Sequence, residues 1–444
     1  MRPKALEVAV MALALVTTAC TRSESQPETT LPPVPLISTT ATLAAPTSTP
    51  ATSAAANDAT AATVDPIEIP VLPGHLVVTG GNGDIFIGEN GRLSLAAPTP
   101  VAGRISQPTW SPDGSLLAYS LVDETGGYLV VMSNEGDERQ RFSTPFAPFY
   151  IAWSPNSALV GALGGTEQGV GFGFARLDDG SFTMLAAGTH YYFDWSPSND
   201  AVVSNEGPQR LSTVGTDGND ATLPVSPGMF QAPEWSPDGR SVFLAVTSAD
   251  DTLTVANGSS GEILTQDSTV RQRIVRIDLD TNEVSTLLEY PNRVAFDLSP
   301  DGMQLAYTSS PAADGGFIGP LDVLDLDSDT TVRITDEPVL AFEWSPAGEA
   351  ILYMTLQTNG IRWNVAVGES TTEYALQPPT EVFFLQYLQF WSQYARSMTL
   401  WAPDGSGFVY PVFSDAGDNE IWVQELAESA PVFIGPGVFA AWSP

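Results

Sequence analysis

An all-β propeller, most simply of eight four-stranded blades, is the fold this sequence predicts, and three observations predict it. A short motif recurs eight times: Trp110-Ser-Pro-Asp-Gly114, Trp153-Ser-Pro155, Trp195-Ser-Pro197, Trp235-Ser-Pro-Asp-Gly239, Leu298-Ser-Pro-Asp-Gly302, Trp344-Ser-Pro346, Trp401-Ala-Pro-Asp-Gly405 and Trp442-Ser-Pro444. Successive spacings are 43, 42, 40, 63, 46, 57 and 41 residues, a period near that of propeller blades with insertions. Short apolar runs flank each motif, and few stretches carry a helical period.

In chain order, the first element is a leader. Arg2 and Lys4 precede the apolar run from Val8 to Val16, which ends at Thr17-Thr18-Ala19-Cys20. A positive start, a short apolar stretch and small residues describe a secretory signal, too short for a membrane span. Residues 1–20 are therefore expected to be a signal peptide. Residues 21–66 are Thr, Ala, Ser and Pro with almost no large apolar side chains, so they cannot bury enough surface to offset chain entropy. They are expected to form a disordered tether, with a single folded domain over 67–444.

Each repeat then reads as four strands. An extended stretch such as 149–153 or 340–344 runs into the motif. There Pro fixes φ, Asp supplies a side-chain acceptor, and Gly takes the positive φ that closes a hairpin. Apolar runs follow, as in 116–119, 241–245 and 351–354, and then a second pair such as 321–325 with 331–334. The last motif lies beside residues 76–78, 84–87 and 92–95, which supply three strands without a first. The expected arrangement joins the C-terminal strand to this N-terminal blade and leaves no free sheet edge. Seven blades are the alternative, if the weak unit 201–222 is absorbed differently.

The pattern resembles the TolB-type β-propeller repeat, a relative of WD40 repeats, over most of residues 75–444. The start of the chain resembles a bacterial lipoprotein signal with Cys20 as its acylated residue. The alternative there is ordinary cleavage after Ala19, leaving a free thiol. The repeat resemblance implies a fold and no single activity, since its members include periplasmic scaffolds and the propeller domains of serine peptidases. With the leader, it implies an extracytoplasmic, lipid-anchored bacterial protein, expected to be monomeric.

Composition limits the function. The 52 acidic and 17 basic residues give a net charge of −35, so no cation excess is available to bind nucleic acid. One cysteine excludes an internal disulfide framework, and two histidines leave little for a histidine metal site. No EF-hand, phosphate loop or nucleophile elbow is present. No metal, cofactor or catalytic set is expected.

Three insertions, 248–270, 309–320 and 377–394, fall among connections expected to share one face, which marks that face as the binding side. In the third, Phe383, Phe384, Tyr387, Phe390, Trp391 and Tyr394 recur at helical intervals. Either a helix buries them over the ring, or they form an exposed aromatic platform. Arg104, His190, Arg293 and Arg396 each stand five or six positions before a motif, with Tyr191 beside them. They could converge on an anion-preferring channel mouth, or each arginine could pair with a local carboxylate. Asp194, Glu234, Asp297 and Glu343 immediately precede four consecutive motifs. They could line the channel as an acidic arc or cap backbone groups between blades. The leading functional expectation is a binding or scaffolding module for an envelope protein, peptide or glycan. The alternative is a hydrolase or lyase acting on carbohydrate or peptide with two of these carboxylates.

Overall fold

The computed structural model describes residues 65–444 apart from 189, 208, 228–231, 248–270 and 311–317. The leader with Cys20, nearly all of the 21–66 tether, the 248–270 insertion and most of the 309–320 insertion lie outside the described residues, as do the side chains of His190 and Tyr191.

The described residues form a β-propeller of antiparallel sheets, each begun by a strand that carries the repeated motif. Arg104–Trp110, Leu116–Asp123, Gly126–Ser133 and Glu138–Thr144 make one four-stranded sheet. Three more follow, opened by Pro148–Trp153, His190–Trp195 and Glu234–Trp235. The weak unit 201–222 belongs to the second of these and supplies its three outer strands, so it is not absorbed into a neighbour.

Residues from Val294 to Gln377 form a seven-stranded sheet, because Thr330–Trp344 runs without a turn from the outer edge of one set to the inner edge of the next. Gly407–Phe413, Asn419–Glu425 and Val432–Pro436 follow, with Trp401 bridged to Phe408 as their innermost partner. The strand Phe439–Trp442 then pairs with Leu76–Thr79, placing Leu76 opposite Trp442 and Val77 opposite Ala441. The expected partnership between the two ends of the domain is thus present in the strand register. Ile67–Glu68 adds a fifth, outermost strand to that sheet.

The motif's chemistry explains its recurrence. At Ser111 the backbone N–H donates to Leu116 O at 2.8 Å, and the hydroxyl donates to Asp113 Oδ1 at 2.7 Å while accepting from Leu116 N at 2.9 Å. Gly114 closes the turn at φ +68°, a conformation that costs a side-chain-bearing residue energy. Neighbouring turns touch: Asp113 N donates to Ser157 Oγ, and Asn156 N to Asn199 Oδ1. They therefore lie together on one face.

The tryptophans join one set to the next. Trp153 Nε1 donates to Thr109 O, Trp195 to Ala152 O, Trp235 to Asp194 O, Trp344 to Asp297 O and Trp401 to Glu343 O, all at 2.9–3.2 Å. Each acceptor is the residue preceding the motif of the previous set. A large apolar ring and one buried donor satisfied by the neighbouring backbone explain why Trp occupies this position. The ladder omits the step into Leu298, which has no indole, and the steps into Trp442 and Trp110, whose Nε1 atoms have no hydrogen-bond partner among the described residues.

Candidate functional site

The strands that begin each set start on the face opposite the motif turns, and the third insertion crosses that face. It forms a wide helical turn at Phe383–Tyr387, a tight turn at Leu388–Phe390 and one α-helical turn at Trp391–Tyr394. It arises between Ser370–Gln377 and Gly407–Phe413, yet reaches distant strands. Tyr394 OH donates to Phe149 O at 3.0 Å, Tyr150 OH donates to Gln393 O at 3.3 Å, and Arg396 reaches Asp194 and Glu234.

Most of the insertion's aromatics are core. Phe383, Tyr387, Trp391 and Tyr394 are buried, Phe384 is half-buried against the core, and only Phe390 is exposed, at 45%. Trp391 packs on Phe342, Phe383 on Trp363, and Tyr387 on Phe439. Of the two readings of this segment, the exposed six-ring platform is therefore corrected in favour of burial over the inner strands. The helical period marked one face of the segment, and that face meets the ends of the inner strands.

For Arg396 and the acidic residues, the anion-binding and open-channel readings are corrected in favour of their alternatives, carboxylate pairing and backbone capping. The arginine does not offer its charge to solvent. Its guanidinium lies 3.0 Å from Glu234 Oε2 and 3.6 Å from Asp194 Oδ2, and it donates to Pro233 O. Each carboxylate caps the backbone of the next set. Asp194 accepts from Trp235 N at 2.8 Å and Glu234 from Leu298 N at 3.2 Å. Asp297 takes the N–H of Trp344, and Glu343 those of Leu400 and the Thr399 hydroxyl.

Burial raises all four carboxyls above their usual range. Asp297 is pushed up to about 6 with Arg396 opposing the rise, and Glu343 to about 8 against the hydrogen bonds from Thr399 and Leu400. Asp194 and Glu234 also rise, because the nearby guanidinium only partly offsets their loss of hydration. No group of three or more His, Cys, Asp or Glu side chains among the described residues could hold a metal ion.

The remaining candidates separate. Arg293 is half-buried and has an interaction partner, and its carbonyl accepts from Ser310 N at 2.8 Å. The backbones of His190 and Tyr191 lie in the strand His190–Trp195. Arg104 is exposed at the start of its strand and makes no ion pair among the described residues.

Arg104 borders a cavity of about 590 Å³ beside the helical insertion. Ile105, Phe149, Leu385, Phe390, Met398 and Phe439 supply much of its apolar wall. Residues 79–83 and Val438 also line it, so the two ends of the propeller domain build it together. Tyr387 and Tyr394, otherwise buried, reach its wall. Phe149 is 41% exposed there. Among the described residues Arg104 is the only charged one in the lining, and none there is Asp or Glu. Its volume and mainly apolar lining suit a small guest or a short segment.

A bulge shapes one wall. In Arg104–Trp110 the pairing shifts between Ser106 and Thr109, and Gln107 takes φ +60°. Such a bulge re-aims side chains, and a positive φ outside glycine stores strain. Gln107 Nε2 points to Tyr394 OH at 3.5 Å. The Gln107 Oε1 and Thr79 Oγ1 atoms have no hydrogen-bond partner among the described residues.

Of these lining residues, sequence reasoning had singled out Arg104 by position and Tyr387, Tyr394 and Phe390 by periodicity. Gln107, Phe149, Leu385, Met398 and Phe439 were missed as site residues. Only the glycine-rich run 80–83 could have suggested a loop near them. A second cavity, of about 730 Å³, lies between the outermost strand Ser370–Gln377 of one set and the strands Gly407–Phe413 and Asn419–Glu425 of the next, and includes Glu373, Asp415, Glu420 and Glu428 in its lining.

No family model matches this chain, and no curated protein matches it in sequence. Solved structures match it in fold. Dihydro-haem d1 dehydrogenase NirN, in complex with DHE, is 13% identical, with 85% of this chain and 76% of that chain covered at a TM-score of 0.56. A eukaryotic initiation factor structure is 12% identical, with 84% and 99% covered at 0.53. A prolyl endopeptidase is 9% identical, with 77% and 50% covered at 0.52. At these identities the likeness concerns the fold alone.

Proposed function

We propose that this chain is an extracytoplasmic propeller of the TolB-like kind, with eight blades closed by its own end strands, acting as a binding module. Its guest, a peptide, a protein segment or a glycan, enters the cavity between Arg104 and the 383–394 insertion. The cavity is the observation that carries this reading. It has an aromatic wall and a cation without an ion-pair partner among the described residues, on the face that the insertion crosses, and two of its lining residues carry buried oxygens without partners there. Cys20 anchors the protein to the membrane by its lipid, and the Thr/Ser/Pro-rich tether lets the folded body stand clear of the surface.

The hydrolase or lyase reading needs two carboxylates free to exchange protons with a substrate. Asp194 and Glu234 are bound by Arg396 and by backbone N–H groups, and Asp297 and Glu343 each hold the backbone of the next set. That engagement favours binding over acid–base chemistry.

The test is selection from a displayed random-peptide library on the wild-type protein and on Leu385→Trp, which fills the cavity. Enrichment of a common sequence on the wild type, lost on the variant, is the expected result. Equal enrichment on both would contradict the site. For the anchor, labelled fatty acid is expected to enter the wild type and not Cys20→Ala; equal labelling would contradict it.

A further inference from the structure

We infer that the cavity is a carboxylate site, built to take an apolar residue that carries a free carboxyl group, such as the last residue of a peptide. The inference rests on the binding reading above and names its ligand chemistry. It starts from charge. Acidic residues outnumber basic ones 52 to 17 in this chain, yet the described residues of the cavity lining contain one charge, and it is positive. Several other arginines are engaged by carboxylates: Arg396 by Asp194 and Glu234, Arg210 by Glu206 and Asp220. Arg104 has no such partner among the described residues, and no lining carboxylate competes for it. A guanidinium offers paired donors that match a carboxylate in geometry as well as charge.

The rest of the wall fits the remainder of such a guest. Phe149 and Phe390, 41% and 45% exposed, give two aromatic faces, and Ile105, Leu385, Met398 and Phe439 are apolar. A hydrophobic side chain gains most there, since water leaves apolar surface on both partners. Gln107 and Thr79, both lining residues, carry buried oxygens without partners among the described residues, and these side chains must turn toward the cavity to meet the amide N–H and carbonyl of a terminal peptide unit. The strained backbone at Gln107 holds its amide on that wall. A volume of about 590 Å³ is enough for the terminal residue of a peptide.

Calorimetric titration of the full chain tests this with four probes: N-acetyl-phenylalanine, its amide, and a tripeptide ending in phenylalanine as free acid and as amide. Both free acids should bind, and each amide should bind about tenfold more weakly or worse. Tighter binding of the tripeptide acid than of N-acetyl-phenylalanine identifies a peptide end as the guest, and equal affinity identifies the lone carboxylate. Arg104→Gln, an exposed position, should reduce acid binding about tenfold and amide binding less, so that the preference for acid over amide is lost. Acids and amides binding alike, with both lost in Leu385→Trp, would overturn the carboxylate inference and keep the cavity as a binding site. No binding of any probe would also overturn the inference; the cavity reading then stands or falls on the peptide selection.

Discussion

Replacing Arg396 with methionine is expected to lower folding stability by about 3 kcal/mol, since breaking a buried ion pair strands the partner charges. The guanidinium is 15% exposed, and it serves Glu234 and Asp194, which are 12% and 22% exposed. It also donates to Pro233 O, tying the segment after the helical insertion to strands across the ring. Methionine keeps the stem's apolar packing and removes only the charge and its donors.

The loss should depend on pH, and the sign follows from the carboxyls. Burial already holds Asp194 and Glu234 above their unfolded values, so each favours the folded state most when protonated. Their contribution is full below the unfolded values and is lost as pH rises through the folded ones. Without the guanidinium those folded values rise further. Urea unfolding at pH 5 and pH 8 should therefore show a larger deficit at pH 8. A deficit equal at both values, or under about 1 kcal/mol at pH 8, would mean that the pairing is worth no more than a surface contact.

Trp401→Ala should cost about 3–5 kcal/mol, the range for deleting a buried aromatic ring. Trp401 is fully buried against Phe408, and its Nε1 donates to Glu343 O at 3.1 Å. Phenylalanine separates the two contributions. Trp401→Phe keeps most of the ring and leaves the Glu343 carbonyl without its donor, which adds about 1 kcal/mol. Trp442 supplies the control. It is equally buried, at 1%, but its Nε1 has no partner among the described residues. Trp442→Phe removes an unsatisfied donor and should cost less than Trp401→Phe. The reverse order, measured by urea midpoints, would contradict the proposed ladder between sets.

The propeller was legible because its repeat is written in residues with narrow chemistry. Proline sets one φ, glycine permits the positive one, and tryptophan fills a gap while reaching a neighbouring carbonyl. Where these weaken, the geometry survives on less obvious residues. Ser157 and Asn199 take φ +58° and +68° at turns without glycine. The acidic residues before the motifs were found by position, but position could not distinguish a channel lining from a backbone cap. That depended on the N–H groups of the next set. The insertion's period showed a helix and not what would cover it. The cavity was least legible, because its wall comes from residues 79–83, 104–108, 148–149, 382–398 and 438–439. No local pattern links those segments; only joining the two ends of the domain brings them together.

That joining is open to direct measurement by a designed crosslink. Val77 and Ala441 are opposite each other in the terminal strand pair, where Cα atoms stand about 4.5–5.5 Å apart, a spacing that a disulfide spans. In a Cys20→Ser background, Val77→Cys with Ala441→Cys should oxidise fully, yielding one linked peptide on proteolysis and no free thiol. Folded protein that keeps both thiols free under oxidising conditions would contradict the paired ends, and the cavity they build with them.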